Sequence, residues 1–317
     1  MTNTGGPGHP DGRAAEQGEP PERPQFRSGF GALIGRPNVG KSTILNRMVG
    51  RKIAITADKP QTTRNRILGV VAGSGYQLVL IDTPGIHKPH HMLGEHMVRT
   101  ARAAMEEVEA VLMVVEANEP PGPGDRYVAN YVREARTPAF CVLNKIDLVG
   151  PAEREPAIRS YAGLAGFAAV YPVSALTGEG MDELLRAVLD VLPPGPEYFP
   201  EGVTTDQPEQ FIVGEVVREK IIGLTEEEIP HSVAVEVQEM TPRPNGTIYV
   251  RCLIYVERRS QRGIIIGAGG AMLRQVGTAA RKELESLLGS SIYLDLWVKV
   301  NADWRNRDRA LRELGYR

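Results

Sequence analysis

Cysteine is almost missing from this 317-residue chain, which has only Cys141 and Cys252. Both lie in apolar, strand-like runs, which favours buried thiols over a disulfide and suits a reducing cytosol. Long hydrophobic runs are missing as well, since none approaches the roughly 18–20 residues that span a bilayer. Residues 1–27 hold five glycines, five prolines and no apolar signal core, and their acidic side chains Asp11, Glu16, Glu19 and Glu22 argue against an organellar presequence. Such a segment buries too little surface to offset its ordering entropy, so a disordered tail is expected over 1–27. What remains is ordinary for a globular protein: 42% hydrophobic, 24% charged and a net charge of -2, with length for about two domains. The run "PPGP" at 193–196 marks a break, giving one domain over 28–195, a linker over 196–205 and a second domain over 206–317.

The stretch "GRPNVGKST", residues 35–43, has the spacing of a phosphate-binding loop. Arg36, Pro37, Asn38 and Val39 lie between Gly35 and Gly40, just ahead of Lys41. The glycines let successive backbone N–H groups turn inward around phosphate oxygens. An apolar strand over 31–34 leads in, and a helix starting at Ser42 and Thr43 leads out with its dipole favouring an anion. Downstream, strand-like runs at 77–82, 110–116, 139–144 and 169–174 alternate with helical ones, which predicts a mainly parallel α/β sheet with ligands at the strand ends. The first of these ends in Asp82, Thr83, Pro84 and Gly85. That carboxylate can bind magnesium through water, and that glycine N–H can reach a γ-phosphate. The 139–144 strand ends in Asn144, Lys145, Ile146 and Asp147. A carboxylate in the base plane accepts from N1–H and the 2-amino group of guanine, and adenine offers neither donor. Ser174, Ala175 and Leu176 end the last strand, where a backbone N–H can contact guanine O6. The base is therefore guanine, and an ATPase reading is disfavoured by Asp147.

After residue 206 the pattern changes to helix, strand, strand, short helix, Gly-x-x-Gly, helix, strand. Apolar residues recur at helical spacing through "EQFIVGEVVREKII" and alternate through "HSVAVEVQEM". This order resembles an α+β type II KH domain, with Gly267, Ala268, Gly269 and Gly270 as the loop. Two glycines between helices let an RNA backbone approach beside aliphatic side chains such as Ile264 and Ile266. Residues 206–317 carry 16 basic and 16 acidic side chains, but 251–282 carry seven basic side chains, Arg251 among them, against Glu257 alone. Arg258, Arg259, Arg262 and Arg274 are the candidate phosphate contacts.

The phosphate loop, "DTPG", "NKID" and "SAL" occur in the order of translation-factor-type GTPases. "PQTTRNRI" at 60–67 and "DTPGIHKP" at 82–89 sharpen that into a resemblance to the Era family. The resemblance implies a P-loop GTPase followed by a KH domain, cytoplasmic, monomeric and acting in small ribosomal subunit assembly on 16S-type ribosomal RNA. Peripheral association with the inner face of the cell membrane is left open. It implies that Lys41 holds the β- and γ-phosphates, that Ser42 binds Mg²⁺, and that Thr63, in preference to Thr62, makes the second Mg²⁺ contact. Ras-type GTPases place a water-orienting glutamine after the DxxG glycine. Here that place holds Ile86, so slow intrinsic hydrolysis is expected unless another group stabilises the transition state. Related GTPases carrying an asparagine at the position of Asn38 use potassium, while the local alternative is an Asx-type bond that shapes the loop. The loop also departs from Era relatives, which often have lysine where this chain has Ala268 and Gly269. A second reading therefore stays open: a regulatory protein-binding module whose KH-like domain does not touch RNA. His87, His90, His91 and His96 fit no compact zinc spacing.

Overall fold

The computed structural model describes residues 1–4, 25–59, 61–89 and 91–316. Most of the expected 1–27 tail thus lies outside the described residues, as does His90. The elements among the described residues run β1 (Arg27–Gly35), α1 (Lys41–Val49), β2 (Ile67–Gly73), β3 (Tyr76–Asp82) and α2 (Met92–Ala103). β4 (Ala110–Glu116), α3 (Pro123–Glu134), β5 (Ala139–Asn144), α4 (Pro151–Ala162), β6 (Ala169–Pro172) and α5 (Met181–Val191) complete the first half. Its six strands lie in the order β2-β3-β1-β4-β5-β6, all parallel except the β2–β3 hairpin.

The central strand "AVLMVVE" is buried at six positions in succession because helices cover both faces of the sheet. On one face Ala101, Val128, Val132 and Tyr161 of α2, α3 and α4 pack against β4 and β5, and on the other Ile44, Leu45, Leu184 and Val188 do so from α1 and α5. Each fully buried aliphatic side chain contributes about 1.5–3 kcal/mol. β2 was not apparent in the sequence. It is an antiparallel edge strand, and its outer side is covered by the segment before the second domain. There Val70 N–H donates to Thr204 O at 2.9 Å and the Thr205 hydroxyl to Leu68 O at 2.7 Å. Residues 196–205 are therefore laid along the sheet, with Gln77 binding the backbone of Tyr198 and Phe199 at 2.8–2.9 Å.

The second half runs α6 (Glu209–Leu224), α7 (Ile229–Ser232), β7 (Ala234–Pro242), β8 (Ile248–Val256), α8 (Arg259–Ile266), α9 (Ala271–Leu288), β9 (Ile292–Val300) and α10 (Asp308–Glu313). β7 and β8 are antiparallel, β8 and β9 parallel. Val213, Val217 and Ile221 of α6 join Val276, Ala280 and Leu284 of α9 over the inner face of this sheet. A smaller cluster bridges the halves: Leu93 and Met97 of α2 meet Ala234, Trp304, Leu311 and Tyr316.

Candidate functional site

The parallel register brings the carboxyl ends of β1, β3 and β5 to one rim, where a cavity of about 500 Å³ opens. The loop leaving β1 closes under α1, with Gly40 at φ +98° just before the first helical residue. A side chain there would put its Cβ 2.2 Å from Asn144 Nδ2, so only glycine fits. Asn144 is the keystone of this rim. Its Nδ2 donates to Val39 O at 2.9 Å and its Oδ1 accepts from Ala175 N–H at 3.0 Å, tying the phosphate loop to the base-side loop.

Lys41 is buried and donates to Gly35 O at 3.3 Å and Arg36 O at 2.8 Å. Burial pushes its ammonium down to about 8, opposed by the nearby Asp82 carboxylate. Burial in turn pushes Asp82 up to about 6, opposed by Lys41 and by hydrogen bonds from Ser42, Thr63 and the Thr83 backbone. These charges sit in a dry place without full compensation, as groups do where a phosphate and a cation belong.

Three oxygens converge beside them. Ser42 Oγ lies 2.6 Å from Asp82 Oδ2 and 2.8 Å from Thr63 Oγ1, and Thr63 Oγ1 lies 3.4 Å from Asp82 Oδ2. Asp82 Oδ1 is buried without a hydrogen-bond partner among the described residues. An all-oxygen set with one orphaned carboxylate oxygen suits a hard cation of the magnesium type. Ser42, Thr63 and Asp82 would hold such a cation, and it would supply positive charge beside the phosphates. Thr62 also lines the cavity, but its hydroxyl is taken up by the backbone, donating to Lys59 O at 2.6 Å. Gly85 presses on the phosphate loop, since a Cβ there would lie 2.6–2.7 Å from Pro37. Ile86 is 1% exposed in the core, with its N–H donating to Gly35 O at 3.0 Å, so it has no part in holding water.

On the base side Asp147 is exposed and accepts from Ser174 Oγ at 2.6 Å. Lys145 pairs with Glu116 and so runs along the rim. Leu148 and Leu176 are 62% and 75% exposed, framing an open slot for a planar base. Sequence reasoning missed Leu148, and it missed the wall built by Ile55, Thr56, Ala57 and Asp58. That wall is an irregular segment without periodicity, so no sequence signal announced it.

In the second half a cavity of about 370 Å³ runs from Gly270 along α9 and β9. Leu273, Gly277, Leu294 and Leu296 form its apolar lining, with Arg274 and Arg281 at its side. The sequence placed only Gly270 and Arg274 of these among its candidates. The alternation of Leu294 and Leu296 along β9 was the available clue. Ile264 is 53% exposed on α8 and, with Ile266, lies outside this lining. Arg258, Arg259 and Arg262 lie at the start of α8 and are all exposed, while Arg274 donates to Gly269 O at 3.1 Å. Arg251 does not join the basic residues around the loop as its place in the sequence suggests. It pairs instead with Asp295, its register partner on β9. Among the described residues, no group of three or more His, Cys, Asp or Glu side chains is placed to hold a metal ion. His96 is buried on α2, and His87 Nδ1 contacts Gly85 O at 3.0 Å.

A guanine slot, a phosphate loop and an oxygen triad on one doubly wound sheet define a P-loop GTPase, here joined to a KH domain. A family profile described as "50S ribosome-binding GTPase" matches residues 30–145, and one described as "KH domain" matches 228–305. Among solved structures, Era in complex with MgGDPNP and nucleotides 1506–1542 of 16S ribosomal RNA is 39% identical, with a TM-score of 0.89 over 92% of this chain and 99% of that one. A variant of Aquifex aeolicus Era bound to GDP·AlF4⁻ is 38% identical, with a TM-score of 0.88 over 92% of this chain and 99% of that one. The chain belongs to the Era family of GTPases.

Proposed function

We propose that this protein is a GTP-hydrolysing switch whose KH domain binds the 3′ end of small-subunit ribosomal RNA during assembly of that subunit. The carrying observation is that one relative, alike over 92% of this chain, holds a magnesium-bound GTP analogue and nucleotides 1506–1542 of 16S RNA together. This chain offers a site for each: the oxygen triad with the guanine slot, and the cleft between α9 and β9. The name of the matching GTPase profile points to the large subunit, but that match stops at residue 145, before the KH domain begins. The full-length likeness therefore carries more weight in choosing the RNA.

Potassium is the second cation in this reading. Asn38 lines the nucleotide cavity at φ +66°, and its side chain makes no hydrogen bond among the described residues. An Asx-type bond is thus not its occupation, and its oxygen is available to a monovalent cation beside the phosphates. The protein acts as a monomer in the cytoplasm, where its two buried thiols stay reduced. The test is retention of a labelled RNA of the 3′-terminal sequence by the full chain with a GTP analogue, against a scrambled RNA. Preference for the 3′ sequence, weakening with salt, is expected. Equal retention of both RNAs, or of neither, would overturn the reading.

A further inference from the structure

Between Gln61 and β2 no helix or strand holds the chain, yet residues 62–64 are buried. What fixes them comes from the KH domain. Arg218 of α6, 0% exposed, donates through Nη2 to Thr62 O, and its Nε and Nη2 grip the Glu215 carboxylate at 2.7 and 2.6 Å. Arg64, 1% exposed, reaches into the KH domain from the other side of Thr63. Its Nη1 donates to Val233 O at 2.7 Å and the Tyr316 hydroxyl at 3.2 Å, and its Nη2 to Pro230 O and His231 O, both at 3.1 Å. The same guanidinium lies 5.7 Å from the Trp304 ring centre and 5.9 Å from that of Tyr316. Between these two anchors Thr63 turns its hydroxyl into the nucleotide cavity, where it meets Ser42 and Asp82.

Two buried guanidiniums are an expensive way to join domains. Among the described residues, Arg64 Nε and Arg218 Nη1 have no hydrogen-bond partner, and Arg64 has no carboxylate in contact. Apolar side chains of similar volume would cohere at least as well. What the arginines accomplish, and a hydrophobic contact would not, is to fix the backbone on each side of one threonine by directional bonds.

We propose that Arg64 and Arg218 are positioning residues for Thr63, so that the KH domain completes the magnesium and γ-phosphate side of the nucleotide site within the same chain. This rests on Thr63 being the contact that only a triphosphate engages. GDP, lacking the γ-phosphate, does not draw on it.

The test uses the full chain and follows release of fluorescent GTP-analogue and GDP probes across a Mg²⁺ titration. Arg218→Ala should speed release of the triphosphate analogue by about 10–100-fold, the effect of losing a charged hydrogen bond, and raise its Mg²⁺ requirement. GDP release should stay within about twofold, a split that a general loss of stability would not produce. Should Arg218→Ala fail to fold, Arg64→Met, which keeps an apolar stem between Trp304 and Tyr316, carries the same expectation. Thr63→Ala serves as the reference. If it raises the Mg²⁺ requirement while the arginine variants leave both probes unchanged, or change both alike, the clamp is wrong and the ligand assignment stands. If Thr63→Ala changes nothing, the ligand assignment fails and takes the proposal with it.

Discussion

Asp147 is held at the base slot by one hydroxyl, Ser174 Oγ, at 2.6 Å. An amide oxygen can take the same bond, so Asp147→Asn changes the face shown to the base without disturbing the loop. Guanine then loses its acceptor for the 2-amino group, while xanthine gains a donor for its 2-oxo group. GTP affinity should fall by about 10²–10³-fold and preference should pass to xanthosine triphosphate, as competition binding would report. Unchanged GTP selectivity would remove Asp147 from the pocket. Asn38 carries a second prediction at this scale. With Ile86 buried in place of a water-orienting side chain, the potassium ion proposed above would stabilise the developing charge, an effect worth several kcal/mol in a dry site. Hydrolysis should be faster in potassium than in sodium at equal ionic strength, and Asn38→Ala should narrow the gap. Identical rates in the two salts at saturating GTP would reject the cation.

Among the elements, the turn between α8 and α9 is the one whose chemistry depends on what it lacks. Gly269 sits at φ +58°, and a Cβ built there meets nothing within 4 Å. Aspartate tolerates that backbone, so Gly269→Asp should fold while placing a carboxylate where a phosphate must pass. RNA binding by the variant should be lost and its intrinsic GTP hydrolysis retained, as filter binding and phosphate release would show. Equal RNA affinity would make the loop a structural corner. Elements with a strong period or a loop motif were legible in the sequence: β4, β5 and α9 begin and end where their apolar patterns do. β2 was not, because "ILGVVAG" follows directly on a polar segment that reads as loop and its pairing is with the next strand in a hairpin. The phosphate-loop and base-side residues were legible because their chemistry needs fixed residue types at fixed offsets. The roles of Arg64 and Arg218 were not. The bond from Arg218 to Thr62 spans 156 residues and leaves no local spacing to read.

At the scale of the whole molecule, the two domains meet through charge as well as through the cluster around Trp304. Lys52 beside α1 reaches Glu219 at 2.7 Å and also pairs with Glu283, while Glu219 accepts from the Thr56 N–H at 2.9 Å. The segment that walls the nucleotide cavity is therefore tied to α6 and to α9, the helix that lines the cleft proposed for RNA, so the proposed switch joins its two ligand sites through direct contacts. Crosslinking in living cells, with the bound RNA sequenced, tests that most directly. The reads should gather at the 3′ end of the small-subunit ribosomal RNA and be lost in Gly269→Asp. Reads gathered on large-subunit RNA, or a small-subunit signal that Gly269→Asp leaves intact, would contradict it.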